Sequence, residues 1–303
     1  MLDFCKICKQ KIDKNNHFFR EHQVDLSSYL LKYEPRIDKL TGESIVYSGN
    51  IDKYFNSDFL TKTNLGNWLK KVSKEEGLEY LKNWLAKRKK EKNLIYAPGQ
   101  FECRSLFYPS IKFFHNFYGK YTYETICLGL GLLPRYDYNQ LIKFQENKQL
   151  EFIIDSREQS LLNLPNKEIA KLDVGDYTIK NNNIFVERKS LNDFCNTLSQ
   201  GFDRFNRELE RCKNDNKYLI IMVEEKFNNI NSIAYLPHTK KIKATSDFIF
   251  HQARRIINDY PLNCQIVCVD GRKAAVNFIE KVFSLENDPR TIDFQYAVDI
   301  GAI

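Results

Sequence analysis

The second half of the sequence predicts an α/β fold whose sheet faces are covered by helices. Two observations carry that expectation. Apolar runs of strand length recur at Glu151–Asp155, Asp176–Lys180, Ile184–Lys189, Tyr218–Val223 and Gln265–Asp270. Helix-period stretches lie between them. From Leu191 the apolar residues fall at Phe194, Leu198, Phe202, Phe205, Leu209 and Cys212, a spacing that predicts one helix of about six turns. Ser246–Tyr260 and Arg272–Leu285 predict two more helices, the second following the strand at Gln265–Asp270. Strands interleaved with helices in this order make an α/β domain.

The first half reads differently. Residues 1–36 hold a Cys/His cluster and a short helical run ending near Pro35. Residues 37–142 predict a basic, mainly helical region, clearest at Lys74–Lys92, where Leu78, Leu81, Trp84 and Leu85 recur at helical spacing. Pro98, Pro109 and Pro134 break later elements. Residues 143–150 are polar, lack a core signal and predict a linker to the domain at 151–303.

Composition sets limits. Of 303 residues, 43% are hydrophobic and 14% aromatic, with 12 Gly and 8 Pro, which excludes a disordered chain. The longest glycine-tolerant apolar stretch, Ile126–Leu133, is far short of the ~20 residues a bilayer requires. The first residues carry no apolar signal core, so neither secretion nor membrane insertion is expected, and the location implied is the cytoplasm, or the nucleus in a eukaryote. One CxxC and six scattered cysteines suit a reducing compartment. Residues 1–150 hold 25 Lys/Arg against 17 Asp/Glu, whereas residues 151–303 hold 21 against 22. A basic front suggests a polyanionic partner, and the near-neutral back suggests chemistry that uses carboxylates.

The stretch richest in chemistry runs from Gly175-Asp176-Tyr177 through the turn Asn181–Asn183 to Glu187-Arg188-Lys189. In a hairpin, Glu187 and Lys189 share one face because strand side chains repeat every two residues, and Asp176 approaches from the paired strand. Two carboxylates and an ammonium at one sheet end suit Mg²⁺, which takes one or two protein carboxylates and lowers the pKa of water. The same residues also fit a plain surface hairpin with solvated charges.

The surroundings favour the first reading. Asp155-Ser-Arg157-Glu158, then Gly175-Asp176-Tyr177, then Val186-Glu187-Arg188-Lys189-Ser190 with Asp193 resemble, in that order, the XPF-type structure-specific endonuclease family, over about 151–285. The resemblance implies a restriction-endonuclease-like core with a mixed sheet, Mg²⁺ or Mn²⁺ as cofactor, and cleavage of DNA at branches, flaps or junctions. It implies Asp155, Asp176 and Glu187 as the acidic metal set and Lys189 as the water-orienting lysine. Arg188 becomes the second essential basic residue and Asp193 the acid closing the motif, with Arg157 and Glu158 as supports. Gly201-Phe-Asp-Arg204-Phe resembles the family's glycine–arginine segment, with two residues inserted, and puts Arg204 toward the DNA backbone. The rival reading is a solvated helix face, with Arg204, Arg207 and Arg211 pairing to Glu208 and Glu210. Lys240, Lys241 and Lys243 read equally as a phosphate-contacting strip or a solvated loop. Two family features are missing. No space for tandem helix-hairpin-helix motifs follows Leu285, and no GxxxxGK[ST] helicase loop occurs. Family members often work as dimers, so a homodimer or heterodimer is the implied assembly.

At the front, Cys5-x2-Cys8-x8-His17-x4-His22 offers two thiolates and two imidazoles at finger-like spacing and predicts structural Zn²⁺. It resembles the compact Cys2His2 fingers that begin phage-type proteins. The Cys8–His17 gap is shorter than that of base-reading fingers. His115, His238 and His251 lack such company. Lys70-Lys71 and Lys87-Arg88-Lys89-Lys90 alternate with Tyr54, Phe55, Phe59, Trp68, Tyr80 and Trp84, a mixture suited to phosphate contacts and base stacking. Together these readings predict a metal-dependent DNA endonuclease. The rivals are a sequence-specific mobile-element endonuclease and a non-catalytic DNA-binding scaffold.

Overall fold

The structure is a computed structural model of the chain. It describes residues 4–12, 17–38, 44–45, 47, 49–56, 59–61, 65–106, 108–146, 149–231, 233 and 244–303. Lys240, Lys241, Lys243 and His238 lie outside the described residues. Two compact units divide the chain, Met1–Asn93 and Leu94–Ile303. No described helix is long and apolar enough to cross a membrane.

The N-terminal unit runs α1 (His17–His22), α2 (Leu26–Tyr33), β1 (Arg36–Asp38), α3 (Ile51–Asn56), β2 (Phe59–Thr61), α4 (Leu65–Leu69) and α5 (Lys74–Lys92). Strands β1 and β2 pair antiparallel. A small core of Cys5, Phe18, Tyr29, Leu30 and Tyr54 sits under α1 and α2. Helix α5 spans the predicted residues because both ends are signalled. Ser73 accepts from the Glu76 amide, Glu75 and Glu76 face the positive end, and Asn93 closes the helix in a left-handed conformation. Arg88, in the basic run, is buried.

The C-terminal unit begins with α6 (Gln100–Ser105), α7 (Ile111–Phe117) and α8 (Thr122–Gly129). It continues with β3 (Phe152–Asp155), β4 (Lys167–Ala170), β5 (Tyr177–Ile179), β6 (Ile184–Lys189), α9 (Leu191–Leu198), α10 (Phe202–Asn214), β7 (Tyr218–Val223), α11 (Phe227–Asn231), α12 (Ser246–Asp259), β8 (Cys264–Cys268), α13 (Gly271–Ser284) and α14 (Phe294–Ile300). The six strands form one mixed sheet in the order β4-β3-β5-β6-β7-β8. Pairing is antiparallel for β3–β5 and β5–β6, and parallel for β3–β4, β6–β7 and β7–β8. Strand β7 shows why this sheet is covered on both sides. Leu219, Ile221 and Val223 pack under α9, α10 and α12, while Tyr218, Ile220 and Met222 pack against α13 and α14.

Three expectations need correction. The single helix from Leu191 is two, α9 and α10. Ser199–Gly201 interrupts it, with the Ser199 hydroxyl donating to the Cys195 carbonyl and the Gly201 amide to the Asn196 carbonyl. Gly201 comes so close that an added Cβ would lie 3.2 Å from the Thr197 Cα. Residues 143–145 do not behave as a linker. Phe144 bridges to Leu285, and the Lys143 amide donates to the Asn287 side chain, because the aromatic ring inside the polar run packs on the α13–α14 core. Nor does the compact division fall there. Residues 94–142 belong to the sheet-containing unit, where Phe101 of α6 packs among Phe227 and Phe250 and Arg104 pairs with Asp299 of α14 at 2.6 Å.

Candidate active site and Cys/His cluster

The hairpin predicted from the sequence forms, with Tyr177 opposite Val186. Its entry depends on Gly175, whose φ of +64° lies in the left-handed region. A Cβ at that position would lie 3.1 Å from the Phe185 Cβ and 3.2 Å from the Val186 carbonyl. Only glycine both adopts this angle cheaply and fits here. The next residue, Asp176, is thereby set at the end of the sheet, where its amide donates to the Val186 carbonyl and its carbonyl accepts from the Asp155 amide at 2.8 Å. Asp155 and Asp176 are therefore neighbours on adjoining chains.

Their carboxylates have different fates. Asp155 is 1% exposed and accepts four donors: the Arg157 amide at 2.6 Å, Arg157 Nε at 2.9 Å, Arg157 Nη2 at 2.7 Å and the Leu172 amide at 3.0 Å. A carboxylate has about four lone-pair sites, and these four donors engage them. The Arg157 bonds hold its pKa down, at about 2. In this arrangement Asp155 fixes the guanidinium of Arg157, which is two-thirds exposed and also donates to the Leu172 carbonyl.

Asp176 shows the opposite behaviour. Burial, and then the charge of Glu187, push its pKa up to about 8, although the Arg188 amide donates to Oδ2 at 2.7 Å. Glu187 and Lys189 share a face as expected, with Nζ donating to Oε1 at 2.5 Å. Burial opposes charge on Lys189, but Glu187, Asp176 and Glu208 outweigh it and raise its pKa. Asp176, Glu187 and Lys189 are thus brought together at one sheet end.

Arg188 leaves on the other face. Its guanidinium pairs with Glu224 at 2.5 Å, lies 3.6 Å from Glu158 and donates to the Ser160 carbonyl, tying β6 to the end of β7 and to the loop after β3. Asp193 is exposed and caps α9 reciprocally with Ser190: its amide donates to Ser190 Oγ, and that hydroxyl donates to its carboxylate. Arg204 is exposed on α10.

Two carboxylates here were missed as site residues. Glu224 at the end of β7 carried no motif signal, being the first polar residue after an apolar strand. Glu208 on α10 fitted a partner for Arg211. In the structure it is half-buried, and burial raises its pKa, with Glu187 and Lys189 acting on it more strongly than Arg211. Its position beside the stripe of Phe205, Leu209 and Cys212 was the available clue.

The N-terminal cluster is compact. A bridge between Phe4 and Lys11 closes the turn that carries Cys5 and Cys8, and α1 supplies His17 and His22. Cys5 Sγ lies 3.4 Å from His22 Nε2, and Cys8 Sγ lies 3.4 Å from His17 Nε2. All four donor atoms fall within 4.8 Å of one another. The rings of Phe18 and Tyr29 meet at 3.9 Å, tilted by 30°, in the adjoining core.

The hairpin and the residues around it sit in a segment with known relatives. Residues 154–282 match the ERCC4 domain. The matched segment contains all of the hairpin, α9 and α10 that follow it, and the site they build. No curated protein matches the chain. Among solved structures, "XPF from Aeropyrum pernix, complex with DNA" is 20% identical over 44% of this chain and 62% of its own, at a TM-score of 0.34. "XPF from Aeropyrum pernix" is 18% identical over 50% of this chain and 68% of its own, at 0.32. The chain thus spans less than two thirds of the first.

Proposed function

We propose that the chain is a metal-dependent DNA endonuclease that hydrolyses phosphodiester bonds in branched or otherwise structured DNA, in repair or recombination. The convergence of Asp176, Glu187 and Lys189 at one sheet end, inside the ERCC4 segment, carries this reading. Two half-buried carboxylates that cannot comfortably both be ionised, one with its pKa raised to about 8, fit a divalent cation, Mg²⁺ or Mn²⁺. Asp176 and Glu187 would hold it, with Asp155 holding Arg157. When bound, such a cation lowers the pKa of water and offsets charge on the phosphate.

The chain's own groups supply the rest. Lys189 keeps an ammonium beside the carboxylate pair, where it orients a water and meets negative charge growing on the phosphate. Arg157 offers an exposed guanidinium anchored on two bonds to Asp155, a preorganised phosphate donor. Arg188 holds the hairpin in place through Glu224 and holds Asp176 through its amide. The donor set Cys5, Cys8, His17 and His22 fits tetrahedral Zn²⁺ in a structural role. Arg204 on α10, together with Lys240 and Lys241, would contact the DNA backbone.

Asp176→Ala and Glu187→Ala should each abolish cleavage of a flapped duplex in MgCl2 and leave DNA binding intact. Undiminished cutting by either would sink the assignment. Flap, fork, linear duplex and single-strand substrates, with Mg²⁺ or EDTA, separate junction cutting from site-specific cutting and from a non-catalytic scaffold. A grip on the DNA backbone by the N-terminal unit gains support from charge. Residues 1–93 hold 19 Lys/Arg against 13 Asp/Glu, so the basic surplus falls in the N-terminal unit.

A further inference from the structure

We infer that Glu208 is a positioning residue for Lys189, holding the ammonium in the site from the helix side when Glu187 is otherwise engaged. The inference deepens the nuclease reading by adding a residue outside the motif. Its geometry starts on α10, where Phe202, Phe205, Leu209 and Cys212 are buried and Arg204, Arg207 and Arg211 are exposed. Glu208 stands one turn beyond Phe205, at the edge of the buried stripe, and is half-buried. Lys189 Nζ lies over the Phe205 ring, 5.8 Å from its centroid, so the ammonium is already against this helix. The left-handed turn at Gly175, which also places Asp176, lies close enough to Glu208 for its amide to act on the carboxylate.

Lys189 is therefore paired with Glu187 of its own strand and feels the Glu208 charge from the helix side. A lysine with a single partner would lose its anchor whenever that partner's charge was taken up by a cation. The flexible ammonium would then turn to solvent. With Glu208 opposite, it keeps a fixed counter-charge and its place.

Ammonium NMR of the full chain labelled with ¹⁵Nζ-lysine tests this directly, because an ammonium signal persists only while an ion pair slows exchange with water. Lys189→Arg assigns the signal. In Glu187→Gln, without metal or DNA, the signal should remain, held by Glu208. In Glu187→Gln/Glu208→Gln it should vanish. Loss of the signal in the single variant, or its survival in the double, would overturn the inference. Restoration of the signal in Glu187→Gln/Glu208→Asp would show that charge, and not misfolding, decides the result. The cleavage arm uses a flapped duplex with MgCl2. Glu208→Gln should cut about 10- to 100-fold more slowly than the parent chain, and should cost nothing further in a Lys189→Met background. An equal loss in both backgrounds would also overturn it. If the parent chain cuts no DNA, the nuclease reading fails while the NMR arm still decides the role of Glu208.

Discussion

Asp155 illustrates how one residue's neighbours set its electrostatics. Its carboxylate sits well below the ordinary range because Arg157 and two amides hold it. A depressed carboxyl pKa contributes stability that is complete above the unfolded value near 3.8 and is lost as pH falls toward the folded value of about 2. The shift bounds that contribution at about 2 kcal/mol. Arg157→Met should therefore be less stable than the parent by up to about that amount at pH 5, and the gap should close on acidification. Thermal melts at intervals between pH 2 and 5 check this, and a gap independent of pH would show that Arg157 acts through packing. The role of Asp155 was legible in the sequence only as an acid at a strand end. Its saturation by Arg157, two residues on, needs the turn that follows β3.

At the level of elements, legibility followed the strength of local signals. Helix α5 was readable because caps, first-turn acids and apolar period agree. Strand β7 was readable from its apolar run. Strand β4, Lys-Glu-Ile-Ala, was missed because it is a largely exposed edge, defined by its parallel pairing with β3 and not by its own side chains. Helix α14 was missed because seven residues give little period, yet its Phe294 and Ala297 are buried in the core. The Cys/His cluster was the most legible site, since short-range ligand spacing almost dictates the geometry. Its elements are too small to persist on Phe18, Tyr29 and Leu30 alone. Removing zinc with a strong chelator, or substituting Cys8→Ser, should speed amide hydrogen exchange across α1 and α2 by about 100-fold or more. Unchanged protection would mean that the aromatic core suffices and that the four donors are not a folding clip.

On the scale of the whole molecule, residues 94–142 are joined to the sheet-containing unit through a set of buried polar contacts. Asp293 is the hub. It lies 5% exposed just before α14 and accepts from the Gln100 amide at 2.6 Å, the Tyr138 hydroxyl at 2.7 Å and the Tyr296 amide at 3.0 Å. Burial raises its pKa, and these donors counter the rise. Gly99 permits the approach, since a Cβ there would lie 2.8 Å from the Tyr136 ring and 3.0 Å from Asp293 Oδ2. Nearby, Asp299 receives Arg104 and Gln100, and Arg254 donates to the Ser105 carbonyl. None of this was visible in the polar composition of residues 143–150, because partners nearly 200 positions apart leave no local pattern. The consequence is that the ERCC4 segment does not carry its own complete core. Asp293→Ala would leave one buried and two partly buried donors without this acceptor, at a cost of about 3 kcal/mol, which for a unit of this size lowers Tm by roughly 6–12 °C. A chain truncated to residues 150–303 loses those contacts and also uncovers Phe227 and Phe250, which pack on Phe101. It should melt lower than the 94–303 chain by more than Asp293→Ala does. Calorimetry of the three proteins side by side decides the matter: a truncated chain as stable as residues 94–303 would make 94–142 a separable appendage, whereas the expected order makes it part of the platform on which Asp176, Glu187 and Lys189 are held.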